Sequence, residues 1–183
     1  MLDLGRRCGI AIALLAGIVA ADPAAAHGRP HDLADVDVSV DAGTLSIQLD
    51  APLDSLLGFG HAPKTDAQKR AAADLLLRVG KGDQLFHPDA GAGCTLTAAE
   101  IVAPSIQPRA AGAKPLDPKD HGVFNASYEF ECRSPDRLYK IGIQLFDAFA
   151  RLQTVDVRVA GPGGQSRHKL KRATADPEVP VRR

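Results

Sequence analysis

The chain has 183 residues, with 22 lysine and arginine balanced by 22 aspartate and glutamate residues, and aromatic side chains are only 4% of it. That balance excludes a basic stripe for nucleic acid and an acidic tract for calcium. With no tryptophan, the core must come from leucine, isoleucine, valine and alanine, in one domain or two small subdomains.

Arg6 and Arg7 precede an apolar run from Cys8 to Ala21, which is short for a bilayer span and gives way to small residues. This reads as a signal peptide over residues 1–26. Ala24-Ala25-Ala26 fits the small-x-small cleavage rule, so the mature chain is expected to start at His27. An uncleaved anchor is the alternative. A lipidated cysteine would follow the apolar run, whereas Cys8 lies ahead of most of it. After cleavage no membrane insertion is expected. Cys94 and Cys132 survive cleavage, and in an oxidising compartment a lone pair most often forms a disulfide. The competing reading, two thiolate metal ligands, has no neighbouring C-x-x-C or C-x-x-H to support it.

After the polar entry His27 to His31, Val36, Val38 and Val40 alternate with Asp35, Asp37 and Ser39, the period of a half-buried strand. Asp41-Ala42-Gly43 turns the chain, and Leu45, Ile47 and Leu49 alternate back, which makes a hairpin. The stretch Pro52 to Pro63 then forms an apolar knuckle. Leu53, Leu56, Leu57 and Phe59 are expected inside, while Gly58, Gly60 and Pro63 stop a long helix and fix His61 at a bend. Thr65 and Gln68 have capping-box spacing, and Ala71, Ala72, Leu75, Leu76 and Val79 recur with helical period, so one helix is predicted over 65–79 with Gly80 ending it.

Leu85-Phe86 is a short strand candidate, and Cys94 to Val102 a longer one with Cys94, Leu96, Ala98 and either Ile101 or Val102 inward. Pro104, Pro108, Pro115 and Pro118 make 104–121 a long loop. Phe124 to Cys132 alternates strongly, and Leu138 to Phe146 reads as a further strand. Asp147 to Leu152 is a second knuckle. Val155, Val157 and Val159 pair through the Gly161 to Gly164 turn with an edge strand over Gln165 to Leu170. Two prolines in the last stretch predict a flexible tail over 173–183. The predicted class is α+β, mainly antiparallel, with two packed β units and one main helix. Ser46-Ile47-Gln48-Leu49 echoes Gly142-Ile143-Gln144-Leu145. The echo fits either two pseudo-symmetric subdomains, 33–103 and 122–172, or chance likeness between short strands. Two such units would leave a cleft suited to binding.

Leu53 to Pro63 resembles the Gly-Phe-Glu-His-Ala-Pro signature of ZrgA-type periplasmic zinc-binding proteins of Gram-negative bacteria. The likeness continues through Gly93 to Leu96, Tyr128 to Cys132, Leu145 to Phe149 and Val159 to Gln165, and covers most of residues 27–172. It implies a periplasmic protein that binds zinc and serves zinc uptake, with a zinc-uptake component as a partner. The loop between the cysteines is usually His-rich in that family. Here 104–121 holds only His121, beside Asp120, and Gly60 stands where the signature has glutamate. Reduced capacity, about one zinc per chain, is therefore expected.

Zinc takes four ligands in a closed site, or three and a water in an open one. The candidates are His27 and His31 on the N-terminal arm, His61 on the knuckle and His121 at the loop end. Each also has a plain structural reading as a solvated arm, a hydrogen-bonded corner or loop polarity. His87 and His168 read as surface residues. A cleaved chain would also offer the His27 amino group, a setting for copper. Ser55 lacks a nucleophile-elbow pattern and no acid–base pair stands out, so an enzyme is not expected. The alternative function is a non-catalytic envelope module that binds another protein.

Overall fold

The structure is a computed structural model that describes residues 32–108, 112–114, 122–173 and 177–182. The signal-peptide segment lies outside the described residues. The α+β class holds. β1 (Leu33–Asp41) and β2 (Thr44–Pro52) form the expected hairpin, registered Val38 to Ile47. At its turn Ala42 and Gly43 both take positive φ, 45° and 98°, the handedness that a two-residue hairpin turn needs. β4 (Cys94–Val102), β5 (Val123–Cys132), β7 (Thr154–Gly161) and β8 (Gly164–Lys171) complete a six-stranded sheet in the order β4-β5-β2-β1-β7-β8. All its pairings are antiparallel except β1 with β7. A second, three-stranded sheet has the order β3-β6-β9, from β3 (Phe86–Pro88), β6 (Lys140–Ile143) and β9 (Glu178–Pro180).

The two sheets are not the two halves of the sequence. Strands from 33–103 and 122–172 interleave in the large sheet, because β2 pairs with β5 and β1 with β7. Over the central strands one face of that sheet is apolar: Val36, Val38, Leu45, Ile47, Leu49, Phe124, Tyr128, Phe130, Val155 and Val157 are buried. Each such side chain contributes about 1.5–3 kcal/mol when fully buried. The other face carries the alternate, polar residues.

The main helix, α2 (Asp66–Val79), begins at the predicted capping box: Thr65 accepts from the Gln68 N–H at 3.2 Å, and the Gln68 side chain accepts from the Thr65 N–H at 3.3 Å. It buries Ala72, Leu75 and Val79. Gly80 ends it in right-handed geometry, φ −64°, rather than in the left-handed cap expected of a glycine. Three further short helices are α1 (Leu53–Leu57), α3 (Gly82–Leu85) and α4 (Leu145–Ala148). No helix among the described residues is long and apolar enough to cross a membrane.

Four local expectations are corrected. Ala98 is exposed, because a bulge between Leu96 and Ala98 adds a residue and reverses the facing of the rest of β4, turning Ile101 inward. The strand expected over Leu138 to Phe146 is only Lys140–Ile143; α4 takes its end. The start of the long loop is packed: Ala103, Ser105 and Ile106 are buried, and the Gln107 amide accepts from the Ala103 N–H at 2.9 Å and donates to the Ile101 carbonyl at 2.7 Å. The tail is not loose over its described part. β9 pairs with β6, and Val179 and Val181 are buried because their alternation supplies an apolar face.

On the polar face Asp156 is only 7% exposed and is held by Arg167 through paired bonds of 2.8 and 2.6 Å. The hydrogen bond from Arg167, more than its charge, pulls the Asp156 carboxyl below the usual range despite burial. A depressed carboxylate stabilises the fold above its unfolded value of about 3.9, and that contribution is lost as pH falls toward its folded value. Asp156→Asn should therefore flatten the acid limb of a stability–pH profile and change its slope little above pH ~5. An unaltered acid limb would contradict this.

Candidate functional site

β2 runs directly into α1, whose Leu53 and Leu56 are buried; Leu57 is only partly so. Gly58 closes that single turn at φ 84°, its N–H donating to the Asp54 carbonyl at 2.8 Å. Left-handed backbone favours glycine there. Arg151, after α4, lays its guanidinium beside it, 3.2 Å from where a Cβ at Gly58 would stand. The first knuckle thus rests against the second. No sequence signal announces this contact, because the two stretches share no motif or spacing.

Phe59 is half-buried, not the core anchor its neighbours suggested. Its ring lies 5.4 Å from the His61 imidazole, tilted 34°. His61 is itself partly exposed, and its Nδ1 sits 2.8 Å from the Ala62 carbonyl oxygen. A carbonyl only accepts, so Nδ1 carries a proton, and in the neutral ring the lone pair lies on Nε2. Metal-binding histidines are commonly oriented this way, one ring N–H held by a carbonyl and the other nitrogen left to ligate.

The residue before His61 is packed against the start of β5. A Cβ on Gly60 would lie 3.4 Å from the Gly122 Cα, and the Leu53 N–H donates to the Gly122 carbonyl at 2.8 Å. The two backbones thus lie side by side, and a Cβ at position 60 would make an ordinary contact with Gly122. His27, His31 and His121 lie outside the described residues. His87 is exposed on β3, and His168 on β8 shares a 2.9 Å hydrogen bond with Ser166 Oγ.

Cys94 and Cys132 face each other in register on β4 and β5 and are joined as a disulfide. Neither offers a thiolate ligand. Among the described residues no group of three or more His, Cys, Asp or Glu is placed to hold a metal ion. His61 is thus a single oriented candidate on a fixed corner.

A family model described as ZrgA family zinc uptake protein matches residues 26–179. The chain belongs to that family. The match takes in the knuckle, both cysteines and all four candidate histidines. It gives the ZrgA-family chain a setting in zinc uptake. No curated protein matches it.

Proposed function

We propose that this is a periplasmic zinc-binding protein that holds one metal ion and hands it to a zinc-uptake component. The observation that carries the reading is the Gly60–Gly122 contact. His61 follows Gly60 in sequence and His121 precedes Gly122, so the knuckle and the loop end are anchored at one place. His61 Nε2 supplies one ligand, His121 a second, and the arm with His27 and His31 completes an open shell. Export is supported by Arg6-Arg7, the apolar run and Ala24 to Ala26, and by the disulfide. A non-catalytic role is supported at Ser55, whose side chain is completely buried and beyond the reach of substrate.

Calorimetric zinc titration of the protein beginning at His27 tests this. The expected result is about one zinc per chain, bound at micromolar concentrations, more weakly on acidification because protons compete for the ligands. His61→Ala and His121→Ala should each weaken uptake. Absence of uptake by the wild type would replace this reading with an envelope protein-interaction module. Zinc binding untouched by both substitutions would assign the metal to the arm alone. In that case, extra residues ahead of His27 should abolish any copper affinity that depends on the free amino group.

A further inference from the structure

The polar face of the large sheet carries an open groove of about 660 Å³ that the zinc reading does not use. Its floor is made of small residues in register across the central strands: Ser46 on β2, Ser39 on β1 and Ala160 on β7. Longer side chains rise on either side. Chance alternation on a solvated face gives scattered polarity, but here the two ends of the groove differ in charge.

At one end Arg158 and Arg167 stand directly opposite each other on β7 and β8. Like charges so placed are unfavourable, and each is held by its own carboxylate. Arg158 grips Asp37 through Nε and Nη2, the latter at 2.8 Å. Arg167 grips Asp156 through the same two nitrogens. These forks fix both guanidinium planes. They leave both Nη1 groups without a bond to any described residue. At the other end Glu129 on β5 is exposed and makes no ion pair among the described residues. β2 and β1 lie between β5 and β7, and Glu129 is level with Ala160, two residues from Arg158, so the Glu129 and Arg158 positions are about 16 Å apart at ordinary strand spacing and rise.

We infer that this groove binds a short peptide with free termini, three or four residues long. Its C-terminal carboxylate is taken by the Nη1 groups of Arg158 and Arg167, in the charge-assisted geometry for which guanidinium is suited. Its ammonium is taken by Glu129. The hydroxyls of Ser39 and Ser46 and the Gln48 amide meet the peptide groups between. An extended tri- or tetrapeptide spans roughly 10–14 Å, the Arg158 and Glu129 side chains reach over the remainder, and the volume lies within the range of small-ligand sites, about 300–1,000 Å³.

The test is a titration of the full mature protein with tetra-alanine, its C-terminal amide and its N-acetyl form, followed by amide chemical shifts. Tetra-alanine should bind saturably at millimolar concentration or below and shift residues of β1, β2, β5 and β7. Blocking either terminus should weaken binding by about tenfold or more. Arg167→Gln should remove the preference for the free carboxylate. Glu129→Gln, an exposed change that breaks no bond of its carboxylate, should remove the preference for the free amine and leave the fold intact. No saturable binding, or equal binding of free and blocked peptides, overturns the proposal.

Discussion

Tyr128→Ala is expected to lower the unfolding free energy by about 3–5 kcal/mol. The residue is 1% exposed at the centre of the apolar face. Its ring lies 5.3 Å from that of Phe86 in the smaller sheet, and its hydroxyl donates to the Val79 carbonyl, the last residue of α2, at 2.8 Å. Burial pushes the hydroxyl's pKa up, so it remains a donor throughout ordinary conditions. One side chain therefore joins both sheets and the main helix. Tyr128→Phe, which keeps the ring, should cost only about 1–3 kcal/mol, the penalty of an unmet buried carbonyl. Gly82 supplies an independent check, since a Cβ there would lie 2.3 Å from the Tyr128 ring. Gly82→Ala should cost about 1–3 kcal/mol by overpacking and much less once Tyr128 is alanine. Urea unfolding of the single and double variants measures that coupling. Equal costs of Gly82→Ala in both backgrounds would mean that the ring is not what excludes a side chain at position 82.

Replacing both cysteines with serine should cost about 4 kcal/mol by the loop-entropy relation for a link of this length, strain subtracting from that figure. The bond joins residues 38 apart in sequence. It fastens the first residue of β4, an edge strand whose sheet partner among the described residues is β5 alone and whose pairing is interrupted by a bulge. Unfolding with and without a dithiol reductant checks the figure on unmutated protein. If reduction leaves the urea midpoint unchanged, the disulfide does not restrain the unfolded chain as this account requires. Thiol titration of the denatured, unreduced protein beginning at His27 should find almost no free thiol.

Much of this fold was legible because alternation and capping are local. Val36, Val38 and Val40 mark β1 whatever they pair with, and Thr65 with Gln68 marks the start of α2 within one turn. Pairing partners were not legible. Nothing in β1 names β7, so a division into sequence halves looked natural although the strands interleave. The bulge in β4 was equally hidden, since an inserted residue leaves composition untouched and only reverses the facing of residues after it, Ala98 among them. Phe59 misled because its neighbours Leu53 and Leu56 are core residues, yet Gly58 turns the chain outward immediately before it. At the candidate site the sequence indicated His61 and its corner. It did not indicate the carbonyl that sets the tautomer or the close approach of Gly122, both products of backbone geometry.

The parallel pairing of β1 with β7 bears on how the chain acquires its structure in time. Leu33 is matched to Thr154 and Ser39 to Ala160, so the first strand has to wait for one of the last before the centre of the sheet can close. The β1–β2 hairpin alone exposes an unpaired apolar ribbon and is at best marginal. Contacts so distant along the chain slow folding, because loop-closure entropy is lost before the contacts repay it. During synthesis one edge of β1 therefore stays without its strand partner until β7 has emerged.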